Sequence, residues 1–128
     1  MNTTAAPAET APAPAAAPRF VHLRLHTEFS VQDGIVQIGD ALGMAADDGM
    51  VALGMSDLGN LFGMVKFYKA ARSKGVKPII GADVWLGNEA APDKPFRLLL
   101  ICRNRAGYGQ LCELLTRAYM TNQTHGRA

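Results

Sequence analysis

An α/β fold with a parallel or mixed sheet is the class this sequence predicts. Three observations carry it. An alternating run, Phe20 to His26, ends in the polar cluster His26-Thr27-Glu28. A continuous apolar run, Met50 to Met55, lies between Gly49 and Ser56. Segments with apolar residues at helical spacing follow each of these runs and recur near the end of the chain. The implied order is β-α-β-α-β-β-α. Four strands with no closing partner leave an edge open, so the chain reads as the opening part of a larger barrel.

Each element has a local reason. In the first run Val21, Leu23 and Leu25 fall on one face of an extended strand, and His22, Arg24 and His26 on the other. Val31 to Gly34 reads as a turn. Ile35, Ile38, Leu42 and Ala45 then predict an amphipathic helix over 35–48, closed near Gly49. Residues 50–55 suit a strand covered on both faces. Ser56 to Asn60 is the loop at its C-terminal end, and Asn60 is placed to cap a helix over 61–73. That helix carries the stripe Leu61, Met64, Val65, Tyr68 and Ala71. Residues 77–86 form a third strand with Pro78 at its entrance. A polar loop, 87–95, leads to a fourth strand, 96–102. Residues 105–120 form a second strongly amphipathic helix, with Tyr108, Leu111, Cys112, Leu115, Ala118 and Tyr119 on one face.

Before Arg19 the chain is mostly Ala, Pro and Thr. Residues 1–18 cannot bury a core face and are expected to be a disordered tail, either a spacer or sequence upstream of the true start. The structured part is expected over 19–128. The formal charge of +2 is too small to argue for nucleic acid. Its distribution is uneven: Glu28, Asp33, Asp40, Asp47, Asp48 and Asp57 precede Val65 with no Lys or Arg after Leu25, and Lys66, Lys69, Arg72, Lys74 and Lys77 follow with no acid. This reads first as a solvated helix face and second as a polyanion-binding edge. Cys102 and Cys112 lack metal-ligand spacing and read as buried free thiols. No apolar run is long enough for a membrane span, and the start has no secretory signal, so a cytoplasmic location is expected. Trp85 reads as packing, and Met44, Met55 and Met64 as core filling.

The candidate chemistry lies at the predicted strand ends. Metal-dependent phosphoesterases need imidazoles and carboxylates converging there, to hold ions that activate water and neutralise phosphate charge. His22, His26, Asp33, Asp57 and Asp83 are the candidates.

The run Phe20-Val21-His22-Leu23-Arg24-Leu25-His26-Thr27-Glu28-Phe29-Ser30, with Asp33-Gly34, resembles the first motif of the PHP (polymerase and histidinol phosphatase) domain. More narrowly, it is similar to the start of the bacterial replicative DNA polymerase III alpha-subunit family. Met55-Ser56-Asp57-Leu58-Gly59-Asn60 and the helix after it resemble that family's Thr-Asp-His-Gly-Asn segment. Gly75-Val76-Lys77-Pro78-Ile79-Ile80-Gly81 resembles its Gly-Ile-Lys-Pro-Ile-Ile-Gly segment. Gly107-Tyr108 and the Leu111 to Tyr119 helix also match, so the resemblance covers about 19–122. It implies the opening part of a distorted (β/α)7 barrel.

The departures shape what the resemblance implies. Metal-binding members carry His-x-His where this chain has Arg24-Leu25-His26, Asp-His where it has Asp57-Leu58, and commonly Glu where it has Asp83. Arg24 is permanently cationic and Leu58 has no lone pair. Positions Arg24, His26, Asp33, Asp57, Leu58 and Asp83 are therefore expected to be a vestigial metal site, with no ion and no cofactor bound by this segment. A guanidinium there is expected to pair with Asp57 or Asp83 in place of the ions' charge.

By family, the parent would be a DNA-directed DNA polymerase using Mg2+ in a palm domain absent from these residues, so none of them is assigned to catalysis. The segment itself would be a scaffold that docks the proofreading exonuclease subunit. DNA, the sliding clamp and other holoenzyme subunits would be met through the rest of the chain. Two alternatives stand beside this: a metal-dependent phosphoesterase or 3'-5' exonuclease using His22, His26, Asp33, Asp57 and Asp83, and a truncated, non-enzymatic binding remnant.

Overall fold

A computed structural model describes residues 20–123. The tail expected over 1–18 and the last five residues lie outside the described residues. The elements are α1 (Ile38–Asp47), β1 (Ala52–Met55), α2 (Met64–Ser73), β2 (Lys77–Leu86), β3 (Phe96–Ile101) and α3 (Arg105–Thr121). The described sheet has the order β1-β2-β3. β1 and β2 run parallel, Ala52 opposite Lys77 and Met55 opposite Ile80, with α2 as the crossover. β2 and β3 are antiparallel, Gly81 opposite Ile101 and Leu86 opposite Phe96. Their connection is held by Asn88, whose side chain accepts from the Ala90 and Ala91 amides and donates to the Lys94 carbonyl.

The helices cover one face of the sheet. Ile38, Leu42 and Ala45 of α1 and Phe67 and Ala71 of α2 close over Leu53, Met55 and Val76, with Ile80 at the margin. Leu111 and Leu115 of α3 close over Ala82, with Val84 and Leu100 at the margin. Ile80, Ala82 and Val84 therefore point to the helix layer. Strand alternation turns Asp83 and Trp85 to the opposite face.

The first predicted strand departs from expectation. Residues 20–26 are not a regular strand, although 22–25 run parallel to β1 along its free edge. The Gly54 amide donates to the His22 carbonyl at 2.7 Å and the Ser56 amide to the Leu25 carbonyl at 2.8 Å. Donors two residues apart meet acceptors three residues apart, so the segment carries an extra residue and the ladder breaks. The Ser56 hydroxyl fills the break by accepting from the Leu25 amide at 3.0 Å. Only Leu25 reaches the core, and Leu23 is exposed. A Cβ on Gly54 would lie 2.6 Å from the Leu23 carbonyl oxygen, so glycine here sets how close the segment comes.

Other expectations shift for similar reasons. α1 begins at Ile38 rather than 35, leaving Ile35 exposed in the preceding loop. α2 begins at Met64 with Gly63 as its N-cap. Asn60 does not cap it: its carbonyl oxygen accepts from the Phe62 amide, and its amide donates to the Phe29 and Leu58 carbonyls. The buried face of α2 is Phe67 and Ala71, while Val65 and Tyr68 are exposed. In α3, Leu111 and Leu115 are buried and Tyr119 is exposed. Met55 fills the core, but Met44 is exposed. The two thiols are free and half-buried rather than buried.

Candidate functional site: a charge-paired cluster at the strand ends

The segment 27–36 is a loop closed on itself. The Glu28 amide donates to the Val36 carbonyl at 2.9 Å, and Ser30 to Val36 brings the chain back beside Thr27. Val31 has φ 65° and ψ −57°, and the Gln32 amide donates to the Ser30 carbonyl at 2.7 Å. This is a γ-turn on a β-branched residue, a strained geometry that the surrounding loop imposes. Gly34 lets the return strand pass: a Cβ there would sit 2.1 Å from the Thr27 carbonyl oxygen. Gly34→Ala should therefore lower the stability of the complete chain by about 1–3 kcal/mol. A thermal melt matching the parent's would show that the loop can open without cost.

Glu28 ties this loop to the helix layer. Its carboxylate accepts from the Ile38 amide at 2.9 Å, where α1 has no side-chain cap of its own, and from Lys66 Nζ at 2.9 Å. An anion at that helix start is favoured by the backbone dipoles. Lys66 also lies 5.2 Å from the centre of the Phe29 ring.

The predicted site residues converge where this loop meets the ends of β1 and β2. Asp83 is fully buried. Its Oδ2 accepts from Arg24 Nε at 2.8 Å and faces His26 Nε2 at 2.5 Å. The other ring nitrogen of His26 lies 3.0 Å from Asp33 Oδ1. Asp33 Oδ2 accepts from Arg97 at 3.0 Å, and the Arg97 guanidinium lies 4.5 Å from the centre of the Trp85 ring. A continuous chain of polar side-chain contacts thus runs Arg24–Asp83–His26–Asp33–Arg97. Arg24 is half-exposed at its outer end.

Asp57 is buried but separate from that chain. Its two oxygens accept from the Thr27 amide at 2.6 Å and the Thr27 hydroxyl at 2.8 Å. Burial pushes the Asp57 carboxyl above its ordinary value, only partly offset by the Thr27 bonds. Leu58 is buried beside Asp83, and its amide donates to the Ser30 hydroxyl at 2.8 Å. Ser30 in turn donates to Asp33 at 2.6 Å. The His22 side chain joins none of this; its ring packs edge-on against Phe20, 4.6 Å between centres.

Sequence reasoning about the site omitted Arg97, Thr27, Ser30 and Ser56. The three hydroxyl residues are buried polar groups that meet the Asp57 carboxylate, the Leu58 amide and the Leu25 backbone, each far along the chain, so spacing gives no hint of them. Arg97 is legible only through the β2–β3 register, which sets it opposite Trp85.

These residues do not fit a metal ion as they are arranged. Arg24 occupies Asp83 Oδ2, both nitrogens of His26 face carboxylate oxygens, both oxygens of Asp57 are taken by Thr27, and Leu58 offers no donor. Among the described residues, no group of three or more His, Cys, Asp and Glu side chains could hold a metal ion. Asp83 Oδ1 is the one buried side-chain nitrogen or oxygen without a hydrogen-bond partner among the described residues.

The electrostatics predict an acid response. Burial pushes the Asp33 carboxyl up, but Ser30, His26 and Arg97 outweigh it and hold it below its ordinary value. Burial likewise opposes, and Lys66 and two backbone bonds outweigh, for Glu28, which also lies low. Lowered carboxyls contribute stability that is complete above the unfolded pKa, about 4, and is lost as pH falls through the folded value. Asp57 has the opposite sign, since a raised carboxyl loses its contribution as pH rises through its folded value. Urea midpoints should therefore fall on acidification below about pH 4. The fall should be shallower in Asp33→Asn; an unchanged slope would remove Asp33 from the account.

Comparison with known proteins places this geometry. The family model of the PHP domain matches residues 22–128. The chain belongs to the PHP domain family. It is 60% identical over 103 residues to the DNA polymerase III subunit alpha of Neisseria meningitidis serogroup B, covering 80% of this chain and 9% of that protein. It is 47% identical over 102 residues to the protein of the same name from Pasteurella multocida, with the same two coverages. The matched part is the N-terminal region of these relatives, and the PHP chain spans about 9% of their length. Among solved structures, a Bifidobacterium adolescentis protein described as a metal-dependent phosphoesterase superposes with a TM-score of 0.51 at 13% identity, over 80% of this chain and 34% of that one. At that identity the likeness shows the α/β fold alone, over about a third of that protein. Among the described residues no helix is long and apolar enough to cross a membrane.

Proposed function

We propose that this PHP segment is the N-terminal part of the catalytic alpha subunit of a replicative DNA polymerase III, and that it serves there as a scaffold with a vestigial metal site. The observation that carries the reading is the Arg24 guanidinium on buried Asp83, a position where metal-binding members need an imidazole. A fixed cation there supplies the positive charge that an ion would otherwise bring, and it holds the residue 24 segment to the end of β2. The relatives' names support the parent activity, DNA-templated DNA synthesis. That chemistry, with its Mg2+, belongs to parts of the parent outside these residues, and no side chain here takes a catalytic role. The proofreading exonuclease subunit is the partner of the segment; DNA, the sliding clamp and other holoenzyme subunits are partners of the whole. The location is cytoplasmic.

Calorimetric titration of the complete chain with Mn2+ and Zn2+ tests the scaffold reading. No stoichiometric binding is expected at micromolar metal. Arg24→His with Leu58→His should bind metal where the remaining ligands are supplied by the rest of the barrel. Stoichiometric micromolar binding by the unaltered chain, with release of phosphate or nucleotide from a phosphodiester, would replace this reading with the phosphoesterase one. Primer extension on a primed template by the same preparation tests the polymerase assignment.

A further inference from the structure

Arg97 meets the strand-end cluster at the end away from Arg24. Asp83 and Trp85 share one sheet face, and the antiparallel register sets Leu99 opposite Asp83 and Arg97 opposite Trp85, so Arg97 stands on that same face. Its guanidinium lies over the Trp85 ring, 4.5 Å from the centre, and donates to Asp33 Oδ2 at 3.0 Å from 64 residues farther along the chain. Arg24 comes to the cluster from the segment beside β1, and Arg97 comes from β3. Two guanidiniums thus reach the carboxylates from opposite sides of the β1–β2 pair.

The Arg97–Asp33 pair is not an ordinary surface ion pair. Its side chains are 30% and 28% exposed, against 75% and 62% for Arg117 and Glu113 on α3. Each oxygen of Asp33 is also engaged. Oδ1 accepts from the Ser30 hydroxyl at 2.6 Å and faces His26 Nδ1 at 3.0 Å, while Oδ2 is held by Arg97. The carboxylates of Asp33 and Asp83 thus face two permanent cations, and their charges balance without an ion. A metal ion taking these oxygens must displace the guanidiniums or lie beside like charge.

We propose that Arg97 is a second stand-in cation: it neutralises Asp33 as Arg24 neutralises Asp83, and each bars divalent metal ions from the cluster independently of the other. This rests on the scaffold reading and adds that replacing Arg24 and Leu58 leaves the site still partly shut. Trp85 has a positioning part, since its ring holds the guanidinium beside Asp33.

Calorimetric titration with Mn2+ tests this in the complete natural chain that carries this sequence, with Arg24→His and Leu58→His already made. Adding Arg97→Leu removes the charge and keeps an apolar contact for Trp85. It should tighten Mn2+ binding about tenfold or more, the lower end of what residues around a metal's own ligands control. Adding Arg97→Lys instead keeps the charge and should change the affinity by less than about threefold. No gain from Arg97→Leu, an equal gain from Arg97→Lys, or a triple variant that binds no Mn2+ overturns the proposal and leaves the scaffold reading standing. Stoichiometric micromolar binding by the unaltered chain fails the scaffold reading and the proposal together. Thermal melts without metal give a second check that needs neither histidine substitution. Arg97→Leu alone should lower the midpoint by about 2 °C, and by less than about 1 °C once Asp33→Asn has removed its partner. An equal loss in both backgrounds assigns Arg97 to packing on Trp85 and overturns the proposal.

Discussion

Arg24→Leu should lower the unfolding free energy of the complete chain by about 3 kcal/mol, the lower end of the cost of breaking a buried ion pair. The lower end applies because Arg24 is 51% exposed and already keeps part of its hydration. The cost arises at the other partner. Asp83 is 0% exposed, its Oδ1 has no hydrogen bond, and Oδ2 would keep only His26. A buried carboxylate left without its cationic partner carries an uncompensated desolvation cost. The same argument predicts a rescue. Asp83→Asn, added to Arg24→Leu, removes the uncompensated charge and keeps an oxygen for His26, so the double variant should recover at least half of the loss. Urea unfolding of the four proteins in this cycle measures both quantities. Additive losses would mean that Arg24 acts through packing of its methylenes, and the idea of a guanidinium standing in for an ion would fall.

This pairing was legible once the resemblance placed Arg24 where metal-binding members carry an imidazole. A permanent cation among carboxylates at converging strand ends has few stable arrangements, and the sequence leaves Asp57 and Asp83 as its partners. The choice between the two was not legible. It depends on the Thr27 amide and hydroxyl, which occupy Asp57, and so on the path of a loop closed by Gly34 and strained at Val31. The long elements were equally plain. β2, β3 and α3 lie within a residue of the positions their patterns predict. The first strand was misread because alternation reports which face a side chain takes and cannot report a bulge. Its edge bonds to β1 are interrupted by a serine side chain, a tertiary event. Asn60 was misassigned for a related reason: an Asx turn and a helix cap use the same side-chain oxygen, and only the start of α2, three residues farther on, separates them.

The helix face of α2 was misread too, and it yields the second large effect. Phe67→Ala should cost about 4 kcal/mol, within the range for removing a buried aromatic ring. Val65→Ala and Tyr68→Ala should each cost under about 1 kcal/mol. The sequence reading put Leu61, Met64, Val65, Tyr68 and Ala71 on the buried stripe and left out Phe67, because apolar residues spread round this helix and periodicity alone does not rank them. The sheet ranks them. Phe67 is 0% exposed and shares one cluster with Ile38 and Leu42 of α1 and with Leu53 and Met55 of β1. Without its ring, the layer that backs β1 loses its largest fully buried side chain, and the strand leading to Asp57 loses support from behind. Unfolding should therefore stay cooperative at a lower urea midpoint, with the Arg24–Asp83 cluster lost in the same transition. If Val65→Ala or Tyr68→Ala instead matched the Phe67→Ala loss, the stripe through Val65 and Tyr68 would be part of the core.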